Sequence, residues 1–183
     1  MLVILQPSDA AGEDDKHVVL TVQPRIPAGS LALTELPAGM VDDEGSFAGA
    51  AAKEMQEELG LTIKEEELTN LTELAFGSES EAEAQTQASA DDPHAALHES
   101  QASAIYPSPG GSDEFVPLFL YEQQVPRETL EEWTGKLTGL REQGEKITLR
   151  LCRLEELWRV GGRDAKALGA WALYEGLRRE GRL

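Results

Sequence analysis

Glu54, Glu57 and Glu58 crowd into the stretch "KEMQEELG". On a helix they stand at i, i+3 and i+4 and share one face, where like charges cost about 0.2–0.5 kcal/mol per pair. These residue types suit a hard divalent cation. Mg²⁺ and Mn²⁺ prefer carboxylate oxygens, and converging carboxylates can hold two such ions on one diphosphate. The plainer reading is a solvated acidic face, and 34 acids against 16 bases give that reading weight. The loop ahead of the cluster, "ELPAGMVDDEGS", carries two glycines that let backbone approach it closely.

Across the whole chain, the formal net charge of −18 excludes general nucleic-acid binding, which needs a basic footprint, and docking on anionic membranes. It does not exclude nucleotides, because a divalent metal can bridge an acidic pocket to phosphates. No apolar run is long enough to span a bilayer. The start, "MLVILQPSDA", lacks a basic n-region, and its apolar stretch is too short for a signal peptide. It reads as a strand beginning almost at the first residue, an abruptness expected of a chain lacking an upstream piece. The single cysteine, Cys152, rules out an internal disulfide, fits a cytoplasmic compartment and reads as a buried strand residue. The 183 residues suit one domain, 1–183.

The elements that must position the glutamates follow from patterning. "LVIL" and "HVVLTVQ" are β-branched runs that form a hairpin with a wide loop, and "SLALTELPAG" alternates as a third strand closed by Pro37 and Gly39. Ser46 to Leu59 reads as a helix, with Ser46 as N-cap and Gly60 at C′. "LTNLTELAF" reads as a strand. Residues 77–103, rich in Ala, Ser, Glu and Gln, read as a solvated, flexible insertion. "YPSPGGSDEFVPLFLYEQQV" is a turn and then a strong strand, a short helix follows near Glu128 to Thr134, and "KITLRLCRL" is another strand. The last segment, "RDAKALGAWALYEGLRREG", is an amphipathic helix with Asp164 as cap and basic residues in its final turns. Trp133, Trp158 and Trp171 read as core or interface residues. Strands first, a helix, strands again and then a helix predict an α+β fold or an α/β sandwich.

Gly39, five residues, Gly45, seven residues, and then Lys53-Glu54-Met55-Gln56-Glu57-Glu58-Leu59-Gly60-Leu61 resembles the Nudix box, G-x5-E-x7-R-E-U-x-E-E-x-G-U. The spacing matches throughout, with two departures. Gly45 stands at the first glutamate, with Glu44 beside it, and Lys53 replaces the arginine, keeping the charge without the planar fork.

The resemblance implies the Nudix fold, an α/β/α sandwich with a mixed sheet, and hydrolysis of a nucleoside diphosphate linked to another moiety. It implies Mg²⁺ (or Mn²⁺) held by Glu54, Glu57 and Glu58, with the carbonyl of Ala38 in "PAG" as a further ligand. "PSPGGSDEF" resembles a segment of the ADP-ribose and ADP-sugar diphosphatases, with Gly111 and Glu114 near the substrate. "LTVQPRIP" resembles the strand that carries an arginine toward the substrate, here Arg25. "LTGLREQGEKITLRL" resembles a loop supplying a late glutamate. Glu142 and Glu145 are the candidates, one to deprotonate the attacking water and one to help hold metal. The likeness to plant and fungal ADP-sugar diphosphatases covers all but the insertion. It implies AMP and a sugar phosphate as products, from ADP-ribose or ADP-glucose, and a homodimer.

Each extra residue has a plainer reading: Arg25 as a surface strand arginine, Glu114 as an exposed flank, Glu142 and Glu145 as ordinary charges in a polar loop. Three other functions compete. One is a Nudix hydrolase of dinucleoside polyphosphates, NADH or capped RNA. Another is a non-catalytic nucleotide-sensing module, and the third is a protein whose acidic face only solvates it.

Overall fold

The computed structural model describes residues 1–39, 47–77, 102–140, 142 and 144–183. The side chains of Phe47, Ala50 and Glu54 lie outside that description. So do Glu44, Gly45 and Ser46 of the box loop, and residues 78–101 of the insertion.

His17–Arg25 (β2) is the longest strand, and three strands pair with it. Ile147–Arg153 (β7) runs antiparallel along one edge, from His17↔Arg153 to Val22↔Thr148. Leu2–Pro7 (β1) and Ser30–Glu35 (β3) share the other edge end to end, because β1 pairs at His17 and Val18 while β3 pairs from Thr21 to Arg25. The chain therefore leaves β3 at Glu35 beside the start of β1. Phe119–Val125 (β5) lies parallel to β1, from Leu2↔Leu120 to Pro7↔Val125, which makes the sheet mixed. Thr69–Asn70 (β4) and Leu137–Thr138 (β6) flank it in the order β4-β5-β1-β2-β7-β6.

Alternation along these strands produces two cores. Leu2, Ile4, Val18, Leu20 and Leu120 pack beneath Ala167, Ala170, Tyr174 and Leu177 of the last helix, Ala165–Arg179. Gly169 of that helix leaves room for Ile105, whose Cδ1 would stand 3.0 Å from an added Cβ. Val3, Leu5, Val19, Tyr121, Ile147 and Leu149 face the other way. They meet Met55 and Leu59 of the box segment and Leu130 and Trp133 of the helix Arg127–Trp133. Helices cover both faces, as the α/β/α expectation requires. Cys152 is buried in β7 as expected. Trp133 is core and Trp171 packs against the first cluster, whereas Trp158 is 53% exposed and lies outside both cores.

A charged cluster ties the β1–β2 loop to the last helix. Lys16 is buried, and its Nζ reaches Glu13 Oε2 at 2.8 Å, Glu122 Oε1 at 2.9 Å and the Tyr174 hydroxyl at 3.0 Å. Burial alone would lower the Lys16 pKa, but these hydrogen bonds hold it well above the ordinary lysine value.

Two expectations change. "LTNLTELAF" is not one strand: only Thr69–Asn70 pairs with β5, and Leu71–Phe76 is helical. Asn70 Oδ1 accepts the Glu73 N–H at 3.0 Å, an N-cap with an acid three residues on, and this local signal outweighs the apolar run. The box helix is likewise not α-helical to its end. Phe47–Glu54 is α-helix, and Met55–Leu59 is a π turn.

Candidate active site

The π turn sets the placement of the glutamates. Met55 and Leu59 are fully buried, Gln56 is exposed and Glu57 is half-buried, while Glu58 is only 2% exposed. The helix closes on Gly60, whose φ of +75° favours glycine, as its place at C′ predicts. The Leu61 N–H bonds to Met55 O at 3.1 Å, six residues back rather than the five of an α-helical Schellman turn. The extra residue belongs to the widened turn that carries Glu57 and Glu58. π turns of this kind concentrate at functional sites. The cluster is thus not one evenly solvated face. Glu58 turns inward with Met55 and Leu59, and a carboxylate removed from water needs counter-charge or hydrogen bonds.

The segment leading to the box is anchored at its base. Glu35, the last residue of β3, is 4% exposed. Its Oε1 accepts Arg25 Nε at 2.8 Å, and its Oε2 lies 3.6 Å from Lys166 Nζ. Asp164 Oδ1 accepts from Lys166 Nζ and from the Lys166 N–H, both at 3.0 Å, capping the last helix as predicted. Asp164 Oδ2 accepts the Leu36 N–H at 2.9 Å. Leu36 and Pro37 are buried, and Ala38 beyond them is half-buried. Sequence reasoning missed Glu35, Lys166 and Asp164 as partners of this turn. Nothing local links residues 128 apart, as Leu36 and Asp164 are.

Ile105 and Val116 exchange backbone hydrogen bonds at 3.0 and 2.8 Å, which pins "YPSPGGSDEF" as a loop. Within it the Gly111 N–H donates to Ser108 O at 2.9 Å, and Glu114 is exposed. Tyr106 and Phe115 stand at the loop's two ends with ring centroids 6.4 Å apart, and both are partly open to solvent. These rings were not singled out from sequence, though an aromatic at each end of a Gly/Pro turn is a visible signal. Glu142 is exposed. Glu145 is half-buried, and its Oε2 accepts the Leu140 N–H at 2.9 Å, so it braces its own loop. The Gly139 φ of +84° and the close approach of Glu145 Cγ, 3.1 Å from an added Cβ, make glycine necessary there.

Glu57, Glu58 and the Ala38 carbonyl offer oxygen donors only, which fits Mg²⁺ or Mn²⁺ better than a soft or borderline metal. Among the described residues no three His, Cys, Asp or Glu side chains group as a metal site. The side chain of Glu54, the remaining glutamate of the box cluster, lies outside those residues.

The fold and the box segment define a class, and comparison with known proteins agrees. The NUDIX domain pattern matches residues 8–174, and the chain belongs to the Nudix family. It is 42% identical over 181 residues to "Nudix hydrolase 14, chloroplastic" of Arabidopsis thaliana, a match covering 98% of this chain and 50% of that protein. The chain thus spans about half the length of that relative. A solved structure, "Crystal structure of ADP compounds hydrolase", superposes with a TM-score of 0.55 at 16% identity, covering 100% of this chain and 75% of the other. At that identity the likeness is one of fold. No helix among the described residues is long and apolar enough to cross a membrane.

Proposed function

We propose that the chain hydrolyses the diphosphate of an ADP-sugar, ADP-ribose or ADP-glucose, to AMP and a sugar phosphate, with Mg²⁺ (or Mn²⁺) as cofactor. The observation that carries this reading is the inward turn of Glu58, next to half-buried Glu57, on the π turn of the Nudix box. The "PSPGG" loop favours an ADP-linked substrate, and a fold shared with an ADP compounds hydrolase accords with one.

Glu54, Glu57, Glu58 and the Ala38 carbonyl would hold the metal. When bound, it would neutralise the diphosphate and make the attacked phosphorus more electrophilic. Arg25 would meet the diphosphate and the loop around Gly111 and Glu114 the sugar. Glu142 or Glu145 would accept the proton of the attacking water. One P–O bond forms to water and the bridging P–O bond breaks, so one water is consumed for each AMP and sugar phosphate released. Among the described residues only Oε2 of Glu145 is hydrogen-bonded, to the Leu140 N–H, which leaves its second oxygen for this role.

The reading also takes 1–183 as one domain acting as a homodimer in the cytoplasm. Ile26 and Leu31, 72% and 78% exposed on the β2–β3 hairpin, support the dimer. Sedimentation velocity checks it. AMP release from ADP-ribose and ADP-glucose, with and without EDTA, tests the activity.

A further inference from the structure

Among the described residues Arg25 is held by one edge only. Its Nε donates to Glu35 Oε1 at 2.8 Å, while neither terminal guanidinium nitrogen makes a hydrogen bond among the described residues. The side chain is 44% exposed, whereas that of Glu35 is 5% exposed. In the strand register Glu35 lies opposite Thr21, and Arg25 lies opposite Ser30. The guanidinium therefore leans back along β2 toward the turn that carries Ala38, instead of following its own backbone outward. Glu35 cannot drift with it. Its other oxygen faces Lys166 Nζ at 3.6 Å, and Lys166 is held in turn by Asp164 at the cap of the last helix.

We infer that Glu35 is a positioning residue for anion recognition. It fixes the Arg25 guanidinium through Nε and leaves the two terminal nitrogens, the edge that binds phosphate oxygens in a fork, without a hydrogen bond among the described residues. A guanidinium held in one orientation loses less freedom when it binds a planar pair of oxygens. The Lys166–Asp164 pair keeps Glu35 in place, so Arg25, Glu35, Lys166 and Asp164 form one chain of alternating charge from solvent to helix cap. The ligand class is a nucleoside diphosphate. This inference rests on the reading of Arg25 as a substrate contact, and the test separates the two.

ADP binding to the whole chain in Mg²⁺ is measured by calorimetry for wild type, Arg25→Ala, Glu35→Gln and the double variant, with melting curves for each. ADP binds whether or not hydrolysis occurs. Arg25→Ala is expected to weaken ADP about tenfold or more, Glu35→Gln to weaken it several-fold, and the double variant to match Arg25→Ala alone. A merely structural Glu35 would lower the melting temperature without that non-additivity. If Arg25→Ala binds ADP as wild type does, or wild type does not bind it, the substrate role of Arg25 fails and this inference with it. If Arg25→Ala weakens binding while Glu35→Gln does not, or if the two losses add, only the positioning role fails. Should Glu35→Gln not fold, Glu35→Asp keeps the charge, withdraws the carboxylate by one methylene and carries the same expectation.

Discussion

Asp164 Oδ2 accepts the Leu36 N–H at 2.9 Å, joining the cap of the last helix to the turn that feeds the Nudix box across 128 residues. The same carboxylate caps the helix through the Lys166 N–H at 3.0 Å. One buried side chain thus satisfies two backbone donors, and the bond to the Leu36 N–H is buried. Asp164→Ala removes an N-cap and orphans a buried N–H, and should cost roughly 2–4 kcal/mol. Asp164→Asn keeps one acceptor oxygen and should cost about half as much. Urea unfolding of the three proteins measures both.

Acid should loosen the other end of the last helix. The hydrogen bond from Lys16 holds the Glu13 carboxyl below the ordinary glutamate value of 4.5, with Arg178 assisting. A carboxylate whose pKa is lower in the folded state adds stability above its unfolded pKa and loses it as pH falls through the folded one. Wild type should therefore lose this contribution progressively below pH about 4.5. Glu13→Gln should melt lower than wild type at neutral pH, by a modest margin since Glu13 is largely exposed, and the two should converge in acid. Melting temperatures from neutral pH down into acid decide it.

Cys152 should be a poor nucleophile in the folded protein. Burial pushes its thiol up to about 11, with Glu156 assisting. Thiol labelling at pH 8 should be slow natively and fast in urea, because only the thiolate reacts. Rapid native labelling would show that β7 opens readily.

The paired carboxylates should show themselves in stability as well as rate. Under the proposed function, Mg²⁺ should raise the wild-type melting temperature through binding to the folded state. Glu58→Gln should lose that rise. Glu57→Gln should keep its fold and lose most of the turnover, on the order of 10²-fold or more. Retention of the metal-dependent rise in Glu58→Gln would remove that residue from the ligand set.

Much of the fold was legible in the chain itself. β-branched runs marked β1 and β2, apolar runs marked β5 and β7, and Gly60 announced the end of the box helix, which closes on its left-handed φ. Asp164 announced the start of the last helix. What escaped reading depended on context. "MQEEL" contains ordinary helix formers, and no propensity separates an α turn from a π turn, so the inward rotation of Glu58 could not be foreseen. Asn70 and Glu73 carried a capping signal, but the apolar spacing of "LTNLTELAF" masked it. The Glu35–Lys166 contact joins residues from opposite ends of the chain, which only the meeting of β3 with the last helix brings together.

Diphosphate hydrolysis of an ADP-sugar at Glu57 and Glu58 is the activity proposed for this chain. AMP release from ADP-ribose and from ADP-glucose in Mg²⁺ tests it most directly, with NADH and a dinucleoside polyphosphate beside them. AMP is expected from at least one ADP-sugar in preference to the other two substrates, abolished by EDTA and nearly abolished by Glu57→Gln. No AMP from either ADP-sugar, with a folded protein in Mg²⁺ and in Mn²⁺, would contradict it.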